Sequence, residues 1–319
     1  MVVPTRNEEA SIAAVVREII GAFDPTRFET PTVLVVDDST DGTRRVAREA
    51  GAEVLIGGGS GLGVAMYEGL KAAAARRPDF IVAVDGDGQA DPDEIPRFLQ
   101  PLIDDEADLV LGSRFSKDDL VGYHYKSINR FGTVVLSWIL RRFTGLNLTD
   151  SHGGLRAMRC PVAEELEILG THTYVQETII DASEKGFRIT EIPSVWRERK
   201  HGKSRVVGSI PKYVFYTLPI LLLRSGQHIR LLYSGGIVLV TFALLYFMTI
   251  LWSVRFDVKA LSDRTNALVA ITLLVSLGFN FFFSGLVLQL LKQMKYRLDR
   301  TLQRVSQHKR EYERESVGS

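Results

Sequence analysis

Four apolar residues, Ile81-Val82-Ala83-Val84, run without a break into Asp85-Gly86-Asp87-Gly88-Gln89. So short a run with no polar alternation reads as a strand buried on both faces, the condition of a parallel sheet between helices. Ligands of such sheets bind outside the carboxyl ends of the strands. Asp85 and Asp87 are two positions apart and can face one side, while Gly86 and Gly88 let a ligand approach the backbone. A hard cation carrying phosphates, Mg²⁺ or Mn²⁺, takes one or two carboxylates and completes its shell with water and substrate oxygens. Gln89 can add an amide oxygen. Taken alone, Asp-x-Asp fits a solvated acidic turn equally well.

The preceding chain repeats the pattern. Val2-Val3-Pro4 reads as the end of a strand, with Thr5-Arg6-Asn7-Glu8-Glu9 leading into an amphipathic helix from about Ala10 to Phe23. A first strand ordinarily brings more apolar residues, which leaves open an extension upstream of Met1. Thr32 to Val36 is a second buried strand, ending in the acidic loop Asp37 to Thr43, and Ala52 to Ile56 is a third. The glycine-rich stretch Gly57 to Gly63 matches neither a dinucleotide fingerprint nor a P-loop and reads as a turn before the helix Val64 to Ala75. A helix around Asp93 to Ile103 and a strand Leu109 to Gly112 continue the alternation. The expected fold is α/β, a mostly parallel sheet with helices on both faces.

Beyond Phe115 the rhythm changes. Lys126 to Phe143 reads as a cationic amphipathic helix, Asp150 to Arg156 as a glycine-containing turn, Pro161 to Leu169 and Val175 to Lys185 as helices, and Arg188 to Pro193 as an edge strand. Arg197 to Arg205 is a basic loop hinged at Gly202, suited to phosphate oxygens if it folds over the acidic strand ends. Taken alone it is a solvated charge run.

Apolar residues pile up after Ile210. Residues 209–224 suit helices in a membrane interface, and Leu231 to Trp252 and Ala267 to Leu291 contain no charged residue and are each long enough to span a bilayer. The connecting loop carries Arg255, Lys259 and Arg264. The tail carries Lys292, Lys295, Arg297, Arg300, Arg304, Lys309, Arg310 and Arg314. That bias predicts a hairpin with both the tail and the N-terminal domain in the cytoplasm, in a multi-pass cell-membrane protein. The expected boundaries are 1–206 for the catalytic domain, 207–229 for juxtamembrane helices, 230–291 for the hairpin (231–252 and 267–291) and 292–319 for the tail. Within the second span, Asn280 is expected to bond across to the other helix. A net charge of +1 and the lack of a basic stripe with interleaved aromatics in the first two hundred residues argue against a nucleic-acid partner. The single cysteine, Cys160, excludes an internal disulfide. Residues Met1 to Glu9 hold no secretory signal.

The segments Pro4 to Glu9, Val36 to Thr43, Asp85 to Pro92, Gly112-Ser113-Arg114, Asp150 with Gly154 to Ala157, and Gly202-Lys203-Ser204 stand in the order of the inverting GT-A glycosyltransferases of family 2. The chain resembles in particular the polyprenyl- and dolichyl-phosphate hexose synthases over about residues 1–206. The resemblance implies that Pro4, Arg6, Glu8, Val36 and Asp38 hold the nucleoside. It assigns Asp85, Gly86, Asp87 and Gln89 to the metal and diphosphate, with Asp87 and Gln89 as direct ligands. Arg199 and Arg205 would meet donor or acceptor phosphates, and Arg114, Lys126 and Arg130 the sugar or the acceptor phosphate. Arg6 stands where the family often has an aromatic residue, so the base would stack on a guanidinium plane. Lys126 stands where the family often has arginine.

The implied activity is metal-dependent transfer of a hexose from a nucleotide sugar to a polyprenyl or dolichyl phosphate. GDP-mannose is the first expectation and UDP-glucose the second. A lipid phosphate is already anionic, so it attacks without a general base. Asp150 and Glu177 are candidates for sugar hydroxyl contacts or for holding the flap arginines, and His152 for a structural turn. Membrane lipids are expected partners, and a homo-oligomer is left open. A sugar nucleotidyltransferase would need a Gly-x-Gly-x-Arg opening, and a processive synthase a Gln-x-x-Arg-Trp motif and more spans; neither is present. A nucleotide-sugar-binding scaffold without turnover would have no use for the metal-binding carboxylates.

Overall fold

In the computed structural model, side chains of β1 (Val2–Thr5) divide between two cores: Val2 packs on one face of the sheet and Val3 on the other. The same period-two division runs through β2 (Leu34–Asp37), β4 (Phe80–Ala83) and β5 (Leu109–Ser113). Leu34, Val36, Ile81, Leu109 and Leu111 join Val2, while Val35, Val82 and Val110 join Val3. Full burial of each such side chain contributes about 1.5–3 kcal/mol, so alternation on two apolar faces selects a sheet covered on both sides. Covering the first face are α3 (Leu62–Ala74), α6 (Cys160–Glu165) and α7 (Val175–Glu184); α1 (Ile12–Gly21), α2 (Thr43–Glu49) and α4 (Ile95–Ile103) cover the second. The structure describes residues 1–116, 120–122, 127–171, 174–199, 227–255 and 257–317.

With β3 (Glu53–Ile56), β6 (Arg156–Arg159) and β7 (Ile189–Pro193), the sheet has seven strands in the order β3-β2-β1-β4-β6-β5-β7. All neighbours pair in parallel except β6, which runs antiparallel to both β4 and β5. Here the turn expected from Asp150 to Arg156 is corrected, because Arg156 begins a strand. Its sequence, Arg-Ala-Met-Arg, carries no β-branched residue; the slot between two buried strands imposes the extended conformation. The sheet is mostly parallel, with β7 at the edge, as expected.

The chain divides into two compact units, Met1–Arg224 and Ser225–Ser319. The first also contains α5 (Ser127–Thr144). In the second, α8 (Gln227–Ser253) and α10 (Thr265–Val317) pack on each other, joined through the short α9 (Val258–Ser262). Ile229–Ser253 and Thr265–Met294 are long and apolar enough to cross a membrane. Their backbones approach at Gly236, where a Cβ would lie 2.8 Å from the Gly278 carbonyl oxygen. Tyr233 donates a hydrogen bond to Gln289 Oε1 at 2.8 Å and packs edge-on against Phe282. Asn280, expected to make the cross-helix bond, is exposed. The expected juxtamembrane helices at 207–229 fall, apart from the start of α8, outside the described residues.

Candidate active site

The carboxyl ends of β1, β2 and β4 meet through hydrogen bonds among their loops. Asp37, fully buried at the end of β2, accepts from Thr5 Oγ1 (2.9 Å), Ser39 Oγ (2.5 Å) and Arg44 Nε (2.6 Å). Asn7, in the left-handed region at φ 55°, donates its N–H to Ser39 Oγ and accepts Thr40 N–H on its own Oδ1. Asp38 turns the other way and accepts the Gly59 N–H at 2.8 Å. The glycine-rich turn is therefore held by the acidic loop. Val36 is fully buried against α3, so only its backbone faces the strand end, and Arg6 is exposed just after β1.

Asp85 and Asp87 follow β4. Burial, reinforced by repulsion from Asp87, pushes the Asp85 carboxyl up to about 7, and burial likewise raises Asp87 against the pull of Arg199. Two desolvated carboxylates that repel one another form an electrostatic site for a cation. Among the described residues no third carboxylate, histidine or cysteine joins them, so protein ligands alone do not complete a shell. That donor set fits a hard divalent ion sharing its coordination with a diphosphate and water.

Gln89, expected as a direct ligand, donates its side-chain amide to the Arg197 carbonyl at 3.4 Å and accepts the Arg197 N–H on its backbone oxygen at 2.8 Å. It therefore ties the loop after β4 to the start of the basic segment. Arg197 is clamped further by Glu18 (2.7 Å) and Asp91 (2.6 Å). Two residues on, Arg199 Nη2 lies 2.5 Å from Glu8 Oε1 and 3.6 Å from Asp87 Oδ2, while its Nε is buried and has no hydrogen-bond partner among the described residues. The structure thus brings together Glu8, Asp87 and Arg199. Arg205 and Lys126 lie outside the described residues.

The other wall is built on Arg114 and Asp150. Their two-point pair (Nε to Oδ2 2.6 Å, Nη2 to Oδ1 2.9 Å) is almost wholly buried. Burial alone would raise the Asp150 carboxyl, but the Arg114 charge outweighs it and holds the group below the usual carboxylate range. Glu191 on β7 braces this turn by accepting the N–H groups of Thr149 and Asp150. Arg114 stacks over Trp196 (4.7 Å) and Phe115 (5.3 Å), and Arg130 also lies over the Phe115 ring (5.3 Å). Arg114, expected near sugar or acceptor, is thus engaged with Asp150 and two aromatic rings. Among the described residues the cation that Asp150 holds is Arg114. Glu177 accepts the N–H groups of Leu169 and Gly170 inside the domain, which makes it a loop brace. His152, expected to be structural, is half-buried, and desolvation drives its pKa down to about 4.

Three residues without an expected role shape the site. Arg156, on β6, is fully buried; it donates to the carbonyls of Gly153 and Val175 and opposes the upward shift of Asp85. Tyr174 OH reaches Asp85 Oδ1 and the Gly154 carbonyl, each at 3.4 Å. Trp196 bridges to Ala90 of the loop after β4 and to Val121, and its Nε1 is buried with no partner among the described residues. A charged residue in the apolar stretch Leu155 to Met158 was the available signal for Arg156. For Tyr174 and Trp196 there was none, because both act through residues distant in the chain. A cavity of about 370 Å³ lined by Met1, Phe23, Arg76 and Phe80 opens at the opposite ends of the strands and contains none of these groups.

The family model for glycosyl transferase family 2 matches residues 1–167, more than half of the 319-residue chain. An uncharacterized glycosyltransferase of Mycobacterium tuberculosis is 34% identical over 215 residues, covering 66% of this chain and 90% of that protein. The dolichyl-phosphate hexose transferase of Haloferax volcanii is 31% identical (62% and 82% covered), and the undecaprenyl-phosphate mannosyltransferase of Micrococcus luteus 30% (66% and 87%). Among solved structures, M. tuberculosis glucosyl-3-phosphoglycerate synthase with Mn²⁺, UDP-glucose and phosphoglyceric acid superposes with a TM-score of 0.57 at 22% identity. It covers 70% of this chain and 78% of its own, a likeness of fold. With the strand-end carboxylates on the same scaffold, the chain is a glycosyltransferase and belongs to glycosyl transferase family 2.

Proposed function

We propose that this glycosyltransferase moves a hexose, mannose first, from a nucleotide diphosphate sugar to a polyprenyl or dolichyl phosphate with inversion, at the cytoplasmic face of the membrane. The observation that carries the reading is the juxtaposition of the half-buried, desolvated Asp85 and Asp87 carboxylates with Arg199, a cation that reaches both Asp87 and Glu8. The printed activities of the Haloferax and Micrococcus relatives support the acceptor class, and the Micrococcus relative supports mannose. α8 and α10, read as a membrane hairpin with the basic tail on the cytoplasmic side, keep the domain beside its lipid.

Asp87, with Asp85 behind it and Gln89 beside it, would hold Mg²⁺ or Mn²⁺. Bound there, the ion neutralises charge on the departing diphosphate. Glu8, Arg6 and the backbone at Val36 and Asp38 line the nucleoside end. Arg199 gives up its carboxylate contacts for phosphate oxygens when the donor enters, since a guanidinium fork matches either anion, and Arg205 would add a second fork to the same phosphates. Arg114, locked by Asp150, and Arg130 border the acceptor end through Phe115. The attacking lipid phosphate needs no base; alignment and charge neutralisation supply the rate.

The test is transfer of radiolabel from GDP-mannose and, separately, UDP-glucose to a short polyprenyl phosphate, with Mn²⁺ or Mg²⁺ and with chelator. Chelator-sensitive label in the lipid phase from GDP-mannose is expected. Label from UDP-glucose alone would reassign the sugar, and nucleotide binding with no transfer from any donor would move the reading to a scaffold.

A further inference from the structure

α5 is turned inside out. Its domain-facing side buries Thr133, Ser137 and Leu140, with Ser137 Oγ accepting the Ser151 N–H at 2.9 Å. Its outward side carries Phe131, Val134, Val135 and Trp138, exposed by 66, 50, 38 and 60%. Those positions follow the i, i+3, i+4, i+7 rule and form one continuous apolar stripe. Arg142 falls one turn beyond Trp138 on the same stripe, Arg130 and Arg141 flank it, and no acidic residue occurs between Ser127 and Thr144. A contiguous exposed apolar stripe with polar residues on the buried side marks a docking surface.

We propose that this stripe lies in the headgroup layer of an anionic bilayer, making α5 a membrane-docking helix of the catalytic domain. The inference rests on the reading of α8 and α10 as membrane spans, which brings a bilayer to the same chain. Charge decides the occupant. Arginines beside Trp and Phe complement anionic headgroups while the rings enter the acyl boundary. A second copy packed on the same stripe would set the arginines of two helices against each other, with no acid on either to neutralise them. Docking there also has a consequence for catalysis. Arg130, on the first turns of α5, shares the Phe115 ring with Arg114, so the acceptor edge of the site is held at the depth where a lipid phosphate sits.

The test uses the full chain with Cys160→Ser and a single new cysteine, Trp138→Cys or Phe131→Cys, labelled with an environment-sensitive fluorophore; Glu106→Cys, exposed at the end of α4, is the control. Protein is reconstituted in phosphatidylcholine vesicles with or without phosphatidylglycerol, carrying a shallow nitroxide lipid. Nitroxide quenching at 138 and 131 several-fold above that at 106, weaker without phosphatidylglycerol, is the expected result. Quenching by aqueous iodide at 138 equal to that at 106, with no nitroxide effect, overturns the docking. So does shielding from both quenchers accompanied by cross-linking between copies through position 138, which makes the stripe a self-association surface. Flotation of the vesicles after alkaline washing separates the two readings. Protein that fails to float overturns the membrane spans and the docking together, whereas protein that floats with an aqueous position 138 overturns the docking alone.

Discussion

Arg114 and Asp150 form a buried two-point ion pair, and Asp150 Oδ2 also accepts the backbone N–H of Arg114 at 3.1 Å. Three bonds to one carboxylate lock the end of β5 to the turn before β6. Removing one partner strands an unpaired charge in the interior. Asp150→Ala is therefore expected to cost about 3–5 kcal/mol, whereas Arg114→Met combined with Asp150→Leu should cost less than the single change. Urea unfolding of the full chain in detergent measures both. Equal losses for the single and double variants would show that the pair is not the source.

Asp87→Asn should lower transfer by more than about a hundredfold, the scale of losing a principal charge-stabilising group, with the thermal midpoint unchanged or raised. The second half follows from the raised carboxyl of Asp87, since neutralising it removes the cost of desolvating the charge and the repulsion it exerts on Asp85. Chelator should lower wild-type transfer to the level of the variant. Turnover by Asp87→Asn near the wild-type rate would remove the metal assignment.

His152 gives a pH dependence with a definite sign. Burial holds its pKa at about 4, against 6.5 in an open chain. Between those values the unfolded chain binds a proton that the folded protein does not. The contribution is complete above pH 6.5 and is lost as pH falls toward 4, by roughly 3 kcal/mol over the window. Denaturation midpoints of wild type and His152→Gln, compared at several pH values, should diverge at neutral pH and converge in acid. A constant difference would show that His152 titrates normally.

Gly154 has no room for a side chain. A Cβ there would sit 2.1 Å from Asp85 Oδ2 and 3.5 Å from the Trp196 ring. Gly154→Ala should displace the Asp85 carboxylate and reduce transfer at least tenfold while the domain stays folded, because the clash falls on a side chain at the strand end. Wild-type kcat in that variant, with intact Mn²⁺ dependence, would mean that Asp85 has latitude.

Much of the site was legible because its carriers are local. A buried strand followed at once by Asp85-Gly86-Asp87, and another by Asp37-Asp38, places carboxylates at strand ends whatever the order of the strands. The residues that escaped are those whose partners are far away in sequence. Asp37 reads like Asp38, yet one knits together side chains of β1, its own loop and α2, and the other holds the glycine-rich turn. Gln89 reads as a ligand from its motif, and its contact with the Arg197 carbonyl spans 108 positions. α5 was read correctly as cationic and amphipathic, but which side faces the domain depends on Ser151 offering an N–H to Ser137.

The sequence by itself determined the kinds of element apart from β6, the two-faced sheet, the acidic strand ends, the basic segment after β7 and the two long apolar helices. Each is written in short-range periodicity and in the chemistry of adjacent residues. Only the tertiary structure decided that β6 inserts antiparallel between β4 and β5, that Arg156 and Tyr174 lie beneath Asp85, and that Arg199 bridges Glu8, 191 positions away, to Asp87. Burial and long-range pairing settle such choices. A buried cation is tolerated only where several acceptors converge on it, and that convergence exists only once the strands have packed.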